Sequence, residues 1–232
     1  MSDWPFDAPY GEHFTAIGTT GCGKTFMVKN AILPRHKRFI IADSKARLDG
    51  TSIDFTEPCF VQATVEQAIQ IAAGDKNFRL RVPIALGDAG FEQVETLSEG
   101  LMKRNAHDVL LYLDEITDLS DAWTVGPGLE GLVRKGRGYR ISLGVGSQKP
   151  KGVNGWFIDN SAHFYLFGMK RSDVVRFSKN TGSDWIEAIQ ASIPYGSFKF
   201  AHEGFDGIID IFKPVPKFDW EKLSRGVRGK TR

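Results

Sequence analysis

The sequence predicts an α/β fold in which a mostly parallel β-sheet is covered by helices on both faces. Three observations carry that expectation. Short apolar runs of strand length alternate along the chain with segments of helical periodicity, and such alternation builds parallel sheets through crossover connections. A glycine-rich stretch, Gly18-Thr19-Thr20-Gly21-Cys22-Gly23-Lys24-Thr25, lies where a strand passes into a helix. Further on, the uniformly apolar run 109–113 ends in Asp114-Glu115, the pattern of a strand buried on both faces that presents carboxylates at its C-terminal end.

In chain order, residues 12–17 read as a short strand entering the glycine-rich stretch. Residues 24–33 read as a helix stopped by Pro34, which lacks an amide donor. Residues 38–42 form a buried strand and 59–62 another, and helical spacing over 65–73 ends at Gly74. The strand over 80–86 is interrupted by Pro83, which predicts a sheet edge, because proline cannot donate to a ladder. An amphipathic helix covers 91–103, and the apolar strand 109–113 follows. A basic helix (129–137) precedes the strand 141–146, and 162–167 is the next strand. Helices near 172–179 and 184–191 and strands at 198–200 and 207–212 complete the series. No repeat and no interdomain linker interrupts it, so residues 1–212 are expected to form one domain and 213–232 a basic C-terminal tail.

A chain of 232 residues, 41% hydrophobic and 25% charged, suits one sizeable soluble domain. Its apolar runs fall far short of the roughly 20 residues that span a bilayer. The acidic residues Asp3, Asp7 and Glu12 near the N-terminus are unlike a secretory or transit signal. Of two cysteines, Cys22 lies inside the glycine-rich loop, which points away from a structural disulfide and toward a reducing interior. The net charge of +2 is unevenly spread: residues 213–232 carry a local +5, leaving about −3 elsewhere. That tail suits either a solvated end or contact with nucleic acid or an acidic partner. His13, His36, His107, His163 and His202 show no metal-ligand spacing. Trp123, Trp156, Trp185 and Trp220 are expected as packing or interface aromatics.

The stretch from Gly18 to Thr25 fits G-x-x-x-x-G-K-[ST]. Glycines let successive backbone N–H groups point at phosphate oxygens, and the following helix adds its positive end. Lys24 is expected on the β- and γ-phosphates and the Thr25 hydroxyl on Mg²⁺. Asp114 is the expected second holder of the Mg²⁺ shell, and Glu115 the base that polarises the attacking water. No N-K-x-D guanine-reading motif occurs, so ATP is the expected nucleotide. The strand 141–146 ends in Ser147-Gln148, and a glutamine there can sense the γ-phosphate and orient water. These motifs specify the fold class further: a three-layer α/β/α P-loop NTPase, RecA-like, with an additional strand and a catalytic glutamate.

At this point the residues resemble the FtsK/HerA superfamily of DNA-pumping ATPases. Beside the Asp114-Glu115 pair, Asp43-Ser44-Lys45 is similar to that superfamily's D-P-K step, with serine for proline. The run from Arg137 through Gln148 to Pro150 is similar to its basic helix, apolar strand and T-Q-[RK]-P ending, with Ser147 for threonine. The short chain, and the turn from Ile193 to Phe198, look like the genome-packaging ATPases of tailless double-jelly-roll double-stranded DNA viruses. The resemblance implies a homo-oligomeric ring, hexamer or pentamer, acting on double-stranded DNA at a capsid vertex, in host cytoplasm and virion. It also implies an arginine reaching a neighbour's γ-phosphate, Arg137, with Arg134 and Arg140 as rivals. Lys149, Lys151, Lys170 and Arg171 are candidates for a DNA channel. A cellular or plasmid translocase, a single-stranded DNA exporter and a non-motor nucleotide switch remain the alternatives.

Overall fold

Among the described residues nine strands pair in the order β3-β4-β2-β5-β6-β1-β7-β8-β9 to form one sheet. The computed structural model describes residues 10–46, 54–118, 125–149, 151, 153–182, 185–194, 196–204 and 207–227. The strands are β1 (His13–Ile17), β2 (Arg38–Asp43), β3 (Val61–Gln62), β4 (Phe78–Pro83), β5 (Val109–Asp114), β6 (Ile141–Ser147), β7 (Ser161–Phe167), β8 (Phe200–Glu203) and β9 (Ile209–Phe212). All pairings from β3 to β7 are parallel, and β8 and β9 add antiparallel strands at one side. The C-terminal ends of β2, β5, β6, β1 and β7 therefore share one edge. β6 lies between β1 and β5, so the glycine-rich loop and the Asp114-Glu115 pair are one strand apart.

Side-chain alternation sorts the core into two layers. Phe14 and Ala16 of β1, Phe39 and Ile41 of β2, and Leu110 and Tyr112 of β5 face one side of the sheet. Ile17, Ile40, Ala42, Leu111 and Leu113 face the other. The second side is covered by α2 (Val65–Gly74), α3 (Asp88–Lys103), α4 (Pro127–Tyr139), α5 (Gly155–Asn160), α6 (Arg171–Thr181) and α7 (Trp185–Ser192). Among the described residues the first side is covered by α1 (Lys24–Met27) with the helical turns that follow it, and by α8 (Trp220–Val227).

Two expectations change. Pro83 does not mark a sheet edge. β4 lies between β3 and β2, and Pro83 is the last residue of its strand, while β3 reaches only Leu80 and Arg81. No ladder bond needs the missing amide there. The helix after Lys24 makes a single α-turn and then widens into a π-turn, Val28–Ile32, and a 3-10 turn, Leu33–Arg35. The Asn30 amide donates to the Phe26 carbonyl at 2.8 Å, competing for the acceptor of an ordinary α-turn. Its Oδ1 accepts from the Phe218 amide at 2.9 Å, which ties the C-terminal segment to this turn. α8 itself did not show in the sequence pattern. Its Trp220 is buried against Phe39, Phe60 and Phe218, so the segment after residue 213 contains a core element as well as charge.

Candidate nucleotide site

The glycine-rich loop leaves β1 along the shared edge and is held by its neighbours on both sides. The Gly18 amide donates to the Ser147 carbonyl of β6 at 3.1 Å, and the Thr19 hydroxyl to the Gly168 carbonyl after β7 at 3.0 Å. A Cβ on Gly18 would lie 2.5 Å from Phe167 Cβ, so only glycine allows this approach. Gly23 takes a φ of 105° to start α1, a left-handed conformation that glycine adopts without strain. The Lys24 ammonium lies within the loop and donates to the carbonyls of Gly18 at 2.5 Å and Thr19 at 3.2 Å. Burial lowers its pKa, opposed by the charges of Glu115 and Asp114. Burial raises the Cys22 thiol, with Lys24 opposing, so Cys22 is a packed side chain of the loop rather than a reactive one.

Three elements converge on Asp114. The Thr25 hydroxyl donates to its Oδ1 at 3.2 Å, and the Tyr112 phenol does so at 3.1 Å. Burial, with Asp114 beside it, pushes the Tyr112 phenol well up, which keeps it a donor. Lys45, two residues beyond β2, places its ammonium 3.1 Å from Asp114 Oδ2, an ion pair without hydrogen-bond alignment. Burial works against the Lys45 charge, but Asp114, Glu115 and Asp54 outweigh it and raise the pKa. The Ser44 hydroxyl donates to the Asp114 carbonyl at 2.8 Å, so the Asp43-Ser44-Lys45 step fixes both the backbone and the charge of Asp114. A hydroxyl and a carboxylate oxygen side by side form the hard oxygen set that Mg²⁺ prefers. Thr25 and Asp114 fit it.

Glu115 is the next residue but turns elsewhere, because its φ of 68° lies in the left-handed region. A bulky residue held there marks a strained position that the surroundings enforce. Its Oε1 accepts from the backbone amide of Gln148 at 3.0 Å and from the Thr117 hydroxyl at 2.5 Å. Its Oε2 is buried and has no hydrogen-bond partner among the described residues. Gln148 Oε1 in turn accepts from the Thr20 hydroxyl at 2.7 Å. Gln148 thus bridges the two through different groups, its side chain to the loop and its backbone amide to a buried carboxylate whose other oxygen has no partner among the described residues. That arrangement can polarise a water molecule beside a phosphate.

The expected residues from Gly18 to Thr25, with Asp114, Glu115 and Gln148, all gather at this edge. Arg137 does not. The carbonyl of Arg137 lies against Gly11 before β1, about 20 Å from Gly18 at strand rise. Its side chain is exposed there. Arg134 pairs with Glu130 at 3.1 Å and lies over the Trp156 ring, and Arg140 pairs with Asp108 at 2.8 Å. Lys149, Lys151, Lys170 and Arg171 are exposed beyond β6 and β7; Trp123 and Pro150 lie outside the described residues. Sequence reasoning passed over the charge of Lys45 on Asp114 and over Tyr112, whose place two residues before Asp114 on a strand puts both on one face. Among the described residues no helix is long and apolar enough to cross a membrane.

By sequence the chain matches no family model and no curated protein. By structure it is similar to the genome packaging NTPase B204 of Sulfolobus turreted icosahedral virus 2, solved in complex with AMPPCP. That match has a TM-score of 0.69 at 17% identity and covers 89% of this chain and 98% of B204. The pCW3 conjugation coupling protein TcpA is similar with a TM-score of 0.61 at 16% identity, over 91% of this chain and 62% of TcpA. VirB4 of Thermoanaerobacter pseudethanolicus follows at 0.57 and 11%, over 88% and 89%. At such identities the likeness is one of fold, and it agrees with the strand order and the loop: the chain has the three-layer α/β/α P-loop NTPase fold.

Proposed function

We propose that this chain hydrolyses ATP and couples hydrolysis to the movement of double-stranded DNA, packaging a viral genome into a preformed capsid as a ring of identical subunits. The observation that carries the reading is the place of Gln148, whose side chain accepts from Thr20 of the phosphate loop while its backbone amide donates to Oε1 of Glu115, a buried carboxylate whose Oε2 has no partner among the described residues. The FtsK/HerA-like motifs and the fold shared with B204, named a genome packaging NTPase, direct the activity toward DNA.

In this reading Lys24 and the loop amides hold the β- and γ-phosphates of ATP. Glu115 Oε2 takes a proton from water as its oxygen attacks the γ-phosphorus, and the bond to the β–γ bridging oxygen breaks to release ADP. Gln148 orients that water. Mg²⁺ on Thr25 and Asp114 supplies neutralising charge when bound. Arg137, remote from its own loop, acts on a neighbour's nucleotide. The exposed Lys149, Lys151, Lys170 and Arg171 face DNA in the pore, and the ring docks at a capsid vertex.

The test is ATP turnover with and without long duplex DNA. The reading expects stimulation by duplex and a loss of roughly 10²–10⁴ in turnover for Glu115→Gln with ATP binding retained. Turnover indifferent to duplex would instead favour a nucleotide switch. Near wild-type turnover by Glu115→Gln would place the base elsewhere. The likeness to TcpA, named a conjugation coupling protein, supports a second reading as a plasmid translocase. Packaging into purified procapsids separates the two.

A further inference from the structure

The two donors to Glu115 Oε1 differ in kind. The backbone amide of Gln148 arrives from the end of β6, 33 residues along the chain, at 3.0 Å. The Thr117 hydroxyl arrives from only two residues on, at 2.5 Å, the short end of the range for O–H···O bonds. A carboxylate offers about four acceptor positions over its two oxygens, so these two donors fill Oε1. Oε2 is buried and has no partner among the described residues. The backbone explains how so near a neighbour can reach back. Glu115, at a φ of 68°, turns the chain out of β5, and Thr117 lies in the 3-10 turn Ile116–Asp118 that follows. Hydroxyls two residues from their acceptors make local bonds in such turns, and branching at Cβ restricts the rotamers of threonine. Thr117 is only half-buried, so water could satisfy its hydroxyl, and burial alone does not force the bond to Glu115.

We propose that Thr117 is a positioning residue for hydrolysis, whose hydroxyl holds the Glu115 carboxylate so that Oε2, and not Oε1, receives the proton of the attacking water. The proposal rests on the reading of Glu115 as the base. The terminal torsion of a glutamate is broad and roughly two-fold, so an untethered carboxylate swings and exchanges its oxygens. A base must come within roughly 2.6–3.2 Å of the proton it takes, and a swinging carboxylate spends less time there. One donor leaves the group free to pivot about a single contact. The second donor fixes its plane, and a flip would break both bonds at once. The two tethers also depend on different parts of the molecule. Gln148 is itself bound through its side chain to Thr20 of the phosphate loop, so its place follows the loop and β6. Thr117 shares a turn with Glu115 and depends on neither. Because it acts through Glu115, its loss cannot cost more than the loss of Glu115 itself.

The experiment measures ATP turnover, and binding of the β,γ-methylene analogue of ATP, in wild type, Thr117→Val, Thr117→Ser, Glu115→Gln and the double variant Glu115→Gln/Thr117→Val. Single turnovers with protein in excess read the slow variants. Valine keeps the branched shape and loses the donor, whereas serine keeps the donor. Thr117→Val should lose about ten- to a hundredfold in kcat, the scale of a misplacement of about an ångström. Its KM and its affinity for the analogue should stay at wild-type values, because other residues hold the phosphates. Thr117→Ser should recover most of the lost turnover. In the Glu115→Gln background the valine should change turnover by less than about twofold, since no base is left to position. Wild-type kcat in Thr117→Val overturns the proposal. An equal loss in Thr117→Ser also overturns it, by making packing rather than the hydroxyl the cause. The same fold-loss in both backgrounds does so too, by making Thr117 independent of Glu115. If Thr117→Val does not fold, Thr117→Ala against Thr117→Ser makes the same comparison. A wild type that turns over no ATP removes the base and the proposal together. A hydrolysing wild type with an indifferent Thr117→Val removes the proposal alone.

Discussion

Lys45 shows how a single residue can set the character of the site. Asp114 is buried; Thr25 and Tyr112 donate to its Oδ1, and the Lys45 ammonium stands 3.1 Å from its Oδ2. Removing one partner of a charged buried pair leaves the other uncompensated. Lys45→Ala is expected to lower stability by about 1–3 kcal/mol. If Mg²⁺ is held by the same carboxylate, as proposed, it should raise the melting temperature of Lys45→Ala more than that of wild type. Equal Mg²⁺ shifts in the two proteins would mean that Lys45 and the metal do not share Asp114. Glu115, one position on, has a left-handed backbone that sends its carboxylate to the Gln148 backbone amide and the Thr117 hydroxyl instead.

At the scale of elements, α4 and α8 are each held by a contact distant in sequence. Glu95 of α3 accepts from the Gly128 amide at 2.7 Å and the Leu129 amide at 3.1 Å, a carboxylate at the positive end of α4. Glu95→Ala leaves two amide donors at a helix start without it and is expected to cost about 1–3 kcal/mol, read in urea denaturation. A change below a few tenths would assign the capping to water. For α8 the expectation separates packing from charge. Truncation before Trp220 removes a fully buried indole and should cost about 3–5 kcal/mol. Neutralising the exposed Lys213, Lys217 and Lys222 to glutamine should leave the melting temperature unchanged and flatten the salt dependence of DNA binding. An unchanged salt slope would release this segment from the DNA.

For the whole molecule the question is where a nucleotide site is completed. Arg137 lies near the start of β1, remote from its own loop, and it is exposed, whereas Arg134 and Arg140 already pair with Glu130 and Asp108. If Arg137 works across a subunit boundary, Arg137→Ala should bind ATP normally and lose roughly 10³–10⁵ in turnover, the range of arginine fingers. Lys24→Ala should fail for a different reason. Mixing the two inactive proteins should restore activity where an intact loop meets an intact arginine. Mixtures that stay inactive, although the subunits exchange, would return Arg137 to the status of a surface charge.

The sequence alone determined what is written in contiguous residues. The phosphate loop, the apolar strand before Asp114 and Glu115, and the alternation that makes the sheet parallel are local patterns, and their physics acts over a few residues. The tertiary structure alone decided what depends on strand order and crossover. It placed β6 between β1 and β5, so Gln148 meets both Thr20 and Glu115, and it set β2 beside β5, which brings Lys45 to Asp114. It turned the charged C-terminal segment into cover for one face of the sheet through Trp220, and it placed β4 inside the sheet despite Pro83. Periodicity reports which face of an element is apolar but not which neighbour it packs against. That choice is made by non-local pairings, whose free energies belong to the assembled sheet rather than to any one segment.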